Sequence, residues 1–291
     1  MVTKKMSEQF IKSLSGHSGC EISLFRDGES FFVRKTAGRP DYNKRLRIQI
    51  AKQVGYRTSQ NSKIRVPQIY KTGVKDGIFY FDMEYLNCMT VARYMETITI
   101  KEIATFVDYV VRELHINDSV VMPDTNDIFQ SKIKSLYNNI PNEDIYVNAL
   151  NRLEQFDFSD VPYSKCHGDL TLENILLDVK GDIYLIDFLD SFFDSWMIDV
   201  AKLLQDLELH WSYRHEGVSS NLELRLAIAR DDLLKHILSL PDGNKKILQI
   251  YYILLLNVMR IVPYAKDDVT KEFLHKAITK LNKVLDDKEQ Q

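Results

Sequence analysis

The run His167-Gly168-Asp169-Leu170-Thr171-Leu172-Glu173-Asn174, followed by Ile186-Asp187-Phe188 at the end of an apolar stretch, constrains this chain more than any other feature. Asp169 and Asn174 fall on a loop leaving one strand. Tyr184-Leu185-Ile186 reads as a second short strand that delivers Asp187 to the same place, with Gly181-Asp182 marking the turn between them. Such a convergence of side-chain oxygens suits phosphoryl transfer, which needs a carboxylate to orient the attacking hydroxyl. It also needs oxygen ligands for Mg²⁺, which neutralises charge on the β- and γ-phosphates. The plain alternative is a loop with capping carboxylates, since Asp and Asn are ordinary turn residues.

The full spacing resembles the catalytic core of the aminoglycoside phosphotransferase and choline kinase family, and the resemblance spans nearly the whole chain. It implies an α+β, bilobal protein-kinase-like fold. A small mixed β-sheet and helix N-lobe (1–86) would bind nucleotide, and a larger, mainly α-helical C-lobe (87–291) would carry catalysis and the acceptor. By the same resemblance Asp169 is the catalytic base, Asn174 and Asp187 hold magnesium, His167 organises the loop, and Asp199 supports the loop backbone. ATP and Mg²⁺ are the implied cofactors.

Composition agrees with two lobes that each have a core: of 291 residues, 45% are hydrophobic and 27% charged. A formal net charge of −3 leaves no electrostatic footprint for nucleic acid. Cys20, Cys88 and Cys166 are scattered, without metal-ligand spacing or a disulfide framework, which points to a reducing cytoplasm. No secretory signal forms, because Lys4-Lys5 is followed by polar residues. The apolar segment Ile247 to Met259 is short for a bilayer and reads as a buried helix, so no membrane partner is expected. The tail Asp286 to Gln291 reads as solvated.

Along the chain, Glu21–Phe25 and Phe31–Lys35 read as strands joined across Asp27-Gly28, a hairpin signal. Ahead of them Ser15-Gly16-His17-Ser18-Gly19 offers two glycines suited to close backbone approach, as in a loop over phosphates or in any strand connection. Period-two alternation puts Phe31, Val33 and Lys35 on one strand face. The resemblance gives Lys35 the α- and β-phosphates; a snorkelling strand-end lysine is the alternative. It also makes Glu84-Tyr85-Leu86-Asn87 the hinge between lobes, with Glu84 and Leu86 facing adenine. A helix follows Lys35 from about Asn43 to Tyr56, yet Lys44 to Arg57 holds no acid to pair with Lys35. Leu46, Gln49, Ile50, Gln53 and Val54 make one stripe, so Gln49, or failing it Gln53, is expected to orient Lys35 through its amide carbonyl.

Helical periodicity covers Ile100–Leu114, Ile128–Leu136, Val147–Phe156, Trp196–Trp211, Leu222–Leu238 and the chain from Ile247 onward. Ser195-Trp196 and Asp199 come soon after Asp187, with no room for a peptide-docking segment, so the acceptor is expected to be a small molecule. Asp190, Trp211 and Tyr213 are candidate acceptor contacts, with Asp194, Asp206 and Glu208 nearby. The competing reading puts both tryptophans in a core stripe and Asp206 and Glu208 on a solvated helix face. The functional expectation is an ATP- and Mg²⁺-dependent kinase acting on a hydroxyl of a sugar or amino-alcohol. Alternatives are an aminoglycoside kinase, an atypical protein kinase and a weakly catalytic nucleotide-binding regulator.

Overall fold

The structure is a computed structural model that describes residues 8–14, 19–56 and 62–290; Gly16 lies outside the described residues. β1 (Gln9–Leu14), β2 (Cys20–Asp27), β3 (Ser30–Ala37), β5 (Ile69–Lys75) and β6 (Ile78–Glu84) form a five-stranded sheet ordered β1-β2-β3-β6-β5. β2 and β3 are antiparallel, and the connection turns at Gly28, whose φ of 62° is open to a residue without Cβ. Alternation along β3 turns Val33, Lys35 and Ala37 toward the small core. Arg34 points to the other face, over the rings of Phe25, Phe32 and Tyr80, and is bonded to Asp82 at 2.6 Å.

Helix α1 (Asn43–Gly55) covers the inner face, placing Leu46 and Ile50 against Leu24, Val33, Phe79, Phe81 and Met83. Gln49 and Gln53 share that buried face, but Val54 departs from the expected stripe and is 65% exposed. A 100° advance per residue carries it past the edge of the contact.

The packing does not divide at residue 86. β4 (Ile64–Arg65) joins a second sheet, pairing in parallel with β9 (Ile183–Leu185), which continues through β8 (Ile175–Leu177) to β7 (Met89–Thr90). Tyr56 and Ile64 accordingly belong to the larger core. That core is built from α2 (Val91–Tyr94), α3 (Ile100–Glu113), α4 (Thr125–Lys134), α5 (Asp144–Gln155), α6 (Trp196–Leu207), α7 (Ser220–Leu238), α8 (Gly243–Met259) and α9 (Asp268–Glu289). Thr99 and Glu102 form a reciprocal capping box that starts α3.

α6 stops at Leu207, short of the expected Trp211, because His210 takes a φ of 65° and Trp211–Tyr213 form a 3₁₀ turn. α8 is buried nearly all round. The stretch Gly243–Tyr264 has the length and apolarity of a membrane span, yet its apolar window is 72% buried within the fold, as in a core helix. The tail expected to be solvated is helical through Glu289, held by Arg152, which pairs with Asp286 at 2.7 Å and Glu289 at 2.8 Å. Cys20, Cys88 and Cys166 form no disulfide.

Leu204 of α6 is fully buried, whereas Val54 faces water. Leu204→Ala should therefore cost about 2–5 kcal/mol of unfolding free energy, and Val54→Ala less than about 0.5 kcal/mol. Chemical denaturation of both variants checks the contrast.

Candidate active site

One face of α6 organises the site. Asp199, Lys202 and Asp206 stand at i, i+3 and i+7, so their side chains leave the helix in one direction, and all three are buried. Asp199 accepts from the backbone N–H of His167 and of Gly168, both at 2.7 Å. Lys202 Nζ lies 3.1 Å from Asp169 Oδ1. Asp206 accepts from the Leu172 N–H at 2.6 Å and from the N–H and hydroxyl of Ser212. The loop from His167 to Leu172 is thus gripped at both ends and in the middle. Asp206 is not on a solvated face as the helical pattern allowed. Glu208, also buried, pairs with Arg230 at 3.2 Å and Lys280 at 2.7 Å.

Burial pushes the Asp199 carboxyl up to about 7, against the pull of the two N–H groups. Both of its oxygens accept hydrogen bonds, which the ionised form does more strongly than the neutral one. His167 is fully buried. Desolvation lowers its pKa to about 4, so the ring is neutral, with Nε2–H donating to Ile186 O at 2.7 Å and Nδ1 accepting from Asp169 N–H at 3.2 Å. A ring so engaged holds the loop and has no free nitrogen for proton transfer.

Gly168 explains the middle of the motif. Its φ is 88°, and a Cβ there would meet Ser191 Oγ at 2.3 Å, Leu189 O at 2.8 Å and Lys52 Nζ at 3.0 Å. Asp169, in contrast, keeps about 30% of its side-chain surface open. Burial would raise its carboxyl, but the Lys202 charge and hydrogen bond, with a bond from Asn174, hold it below the usual range. Asn174 Nδ2 donates to Asp169 O at 2.8 Å and Oδ2 at 3.2 Å, which leaves its Oδ1 able to accept or to coordinate. Its carbonyl accepts from Ile186 N–H, which ties the loop to the chain bearing Asp187. Asp187 adopts a φ of 59°, a left-handed conformation that Asp tolerates better than most residues.

The structure therefore brings Asp169, Asn174, Asp187 and Lys35 together. Lys35, 3% exposed, bonds Asp187 Oδ1 at 2.8 Å. The expectation that Gln49 orients Lys35 is corrected. Gln49 donates to the Tyr42 hydroxyl at 3.4 Å, and its Oε1 accepts no bond among the described residues. Gln53 donates instead to Pro67 O at 3.0 Å. The residue of α1 that reaches the catalytic region is Lys52, which sequence reasoning did not single out. Its Nζ contacts Asp194 at 2.6 Å and Leu189 O at 3.0 Å, fastening the loop that follows Asp187.

Other expected contacts fall differently. Tyr213 is buried and donates to Ala92 O at 2.6 Å, so its hydroxyl is spent inside the core. Trp211 packs edge-on to Phe273, with Arg214 3.9 Å from its ring centre. Both are engaged in packing. Asp190 lies on the loop after Asp187, with no ion-pair or hydrogen-bond partner for its side chain among the described residues. Glu84 ends β6, its N–H bonded to Gln68 O at 2.8 Å; Leu86 follows in the irregular segment before β7, and Gly19 accepts from Gly38 N–H at 3.0 Å.

No group of three His, Cys, Asp or Glu side chains among the described residues forms a metal site. The Asp187 and Asn174 oxygens still fit Mg²⁺, which takes one or two protein oxygens and completes its shell with phosphates and water. The Lys35 ammonium on Asp187 shows that this carboxylate faces a cation. A groove of about 920 Å³ lined by Arg152, Tyr252, Lys245 and Asp286 lies between α5, α8 and α9, away from these groups.

Residues 133–232 match the model of the phosphotransferase enzyme family. Among solved structures, the chain is similar to a thermostable mutant of aminoglycoside phosphotransferase APH(4)-Ia in complex with AMP-PNP and hygromycin B, at 13% identity and a TM-score of 0.65, covering 98% of this chain and 96% of that one. It is also similar to a choline kinase from Streptococcus pneumoniae, at 16% identity and a TM-score of 0.54, covering 94% of each chain. A GDP and kanamycin complex of APH(2")-IIia matches at 14% identity and a TM-score of 0.60, covering 96% and 94%. No curated protein matches by sequence. The resemblance read from the motifs is borne out, and the fold is the bilobal protein-kinase-like one.

Gly168→Ala should cost about 1–3 kcal/mol in stability and abolish any loop-dependent chemistry, read by denaturation and turnover together. Protonation of Asp199 as pH falls through about 7 removes the charge that strengthens both accepted N–H bonds. Turnover should therefore decline on the acid side of neutrality, and Asp199→Asn should lower the rate while removing that limb from the pH profile.

Proposed function

We propose that the protein is an ATP- and Mg²⁺-dependent phosphotransferase that phosphorylates a hydroxyl of a small metabolite, in the sugar or amino-alcohol class. The observation that supports this best is the convergence of Asp169, open to the cleft, with Asn174, Asp187 and Lys35. In this reading Lys35 binds the α- and β-phosphates, the Glu84 to Leu86 segment takes adenine, and Asn174 and Asp187 hold Mg²⁺. The metal supplies charge neutralisation between the β- and γ-phosphates.

Asp169 accepts a hydrogen bond from the acceptor hydroxyl and aims its oxygen at the γ-phosphorus. The bond from that phosphorus to the bridging β–γ oxygen breaks as the new phosphorus–oxygen bond forms. ADP leaves, and the hydroxyl proton passes to the Asp169 carboxylate. The low basicity that Lys202 imposes suits orientation and late proton acceptance, as expected of a loose transition state that needs little base strength. The short segment between Asp187 and α6 is pinned by Lys52 and leaves little room for a peptide platform, which supports a small acceptor.

The test is incubation with Mg²⁺-ATP and a panel of sugars, amino-alcohols and aminoglycosides, with products read by mass spectrometry. Asp169→Asn should keep nucleotide affinity and lose about two to four orders of magnitude in turnover. Asp187→Asn should instead weaken Mg²⁺-nucleotide binding. Equal loss of nucleotide affinity in both variants would sink the assignment.

A further inference from the structure

We infer that Lys52 is a positioning residue for phosphoryl transfer: its ammonium holds the loop of Asp169 and the chain after Asp187 in one arrangement, from the helix that backs the strand of Lys35. This rests on the kinase reading of Asp169 and Asp187. Lys52 follows Gln49 by three residues at the edge of the buried face of α1, with 11% of its side chain exposed. Its Nζ meets Asp194 Oδ1 at 2.6 Å, Leu189 O at 3.0 Å, Ser191 Oγ at 3.4 Å and Cys166 Sγ at 3.4 Å. An ammonium has three protons to donate, so Asp194 and Leu189 take two, and the hydroxyl and the thiol share the third. The same nitrogen borders Gly168, where a Cβ would stand 3.0 Å from it. One side chain thus reaches the residue before His167, the glycine before Asp169 and the segment from Leu189 to Asp194.

Backbone bonds already join these segments to one another. Leu189 N–H donates to His167 O at 3.1 Å, and Ser164 N–H donates to Asp194 O at 3.0 Å. Lys52 adds the link to the lobe that carries the nucleotide lysine. Leu46 and Ile50 of α1 pack in one cluster with Val33, two residues before Lys35 on β3. Two lysines from that lobe therefore meet the chain around Asp187, Lys35 on its carboxylate at 2.8 Å and Lys52 two residues further on at Leu189 O. In the proposed reaction Lys35 serves the phosphates, whereas Lys52 is assigned no substrate contact and keeps its partners. Stability is an insufficient reason for such a group. An exposed ion pair is worth about 0–1 kcal/mol, and in a buried one desolvation offsets most of the Coulombic gain, so an apolar side chain of similar volume stabilises as well. What the ammonium does that an apolar group does not is hold a carboxylate, a carbonyl and a hydroxyl from separate positions at set distances. Asp194, which the sequence put near the acceptor, has this lysine as its ion-pair partner.

The experiment uses the full chain with Mg²⁺-ATP and whichever acceptor of the sugar, amino-alcohol and aminoglycoside panel the wild type phosphorylates. ADP release, Mg²⁺-ADP affinity by calorimetry and melting temperature are measured in parallel. Lys52→Met should lower kcat by about 10–100-fold, the scale set by an ångström-sized misplacement of reacting groups. Mg²⁺-ADP affinity and acceptor KM should stay within about threefold of wild type, because ground-state binding is not what the residue supplies. Asp194→Asn should lower kcat in the same way, and the double variant should be slower than Lys52→Met by no more than about twofold, since both substitutions open one contact. Lys44→Met, on the exposed side of the same helix, should leave kcat unchanged. A lowered melting temperature with kcat of the folded enzyme intact gives Lys52 a purely structural role and overturns the inference. Multiplicative losses in the double variant overturn it too, as does weakening of nucleotide or acceptor binding by about tenfold at constant kcat. Should Lys52→Met not fold, Asp194→Asn, which keeps the shape of its side chain, decides by the same loss or retention of kcat. Failure of the kinase reading looks different: the wild type itself then releases no ADP with any acceptor, and the positioning role falls with it.

Discussion

The buried carboxylate of Asp199 is the contact on which the site is built. It takes the N–H groups of His167 and Gly168 at 2.7 Å, and the rest of the loop is then committed. Gly168 has no room for a side chain, Asp169 projects toward Lys202, and Leu172 is caught by Asp206. A buried acid without such donors would be costly; here the loop backbone and the acids satisfy one another. The helix and the loop are therefore one unit, and the large core behind α6, with Trp196, Leu203 and Leu204 buried, fixes where Asp169 stands.

The candidate-site motif was legible because its residues are local in the chain. His167 to Asn174 lie within one turn-rich segment, and Asp187 is one short hairpin away, so spacing alone brought them together. The two-residue alternation of β3 likewise put Lys35 on the inner face. Lys202 could not be read in this way. Its partner Asp169 lies far back in the chain, and in a stripe of leucines a lysine looks like a residue that snorkels outward. The signal that could have found it is its place between Asp199 and Asp206 on one face of a helix already known to touch the loop.

Two expectations turn on details that periodicity does not fix. Trp211 and Tyr213 stand beside acids near the expected acceptor side, with core packing as the competing reading for the tryptophan; a left-handed His210 ends the helix, and both residues are found in packing contacts. Gln49 was given to Lys35 because no acid stood on α1, yet helical periodicity fixes only which side a residue faces. It does not fix which partner a buried side chain finds. Lys35 found Asp187, and Gln49 was left with an unfilled carbonyl.

The charge arrangement on α1 gives the N-lobe helix a different task from anchoring Lys35. With no acid on the helix, Lys35 has Asp187 as its ion-pair partner among the described residues, the same carboxylate proposed to hold Mg²⁺. With metal and phosphates bound as proposed, Asp187 would hold the metal and the Lys35 ammonium would be free for the phosphates, with no helix acid competing for it. The helix meanwhile sends its own cation, Lys52, across to Asp194 and the Leu189 carbonyl. That contact joins α1 to the segment between Asp187 and α6, and Lys52 also lies against Gly168. A lysine on α1 thereby ties this helix to the loop, while Lys35 is left to Asp187.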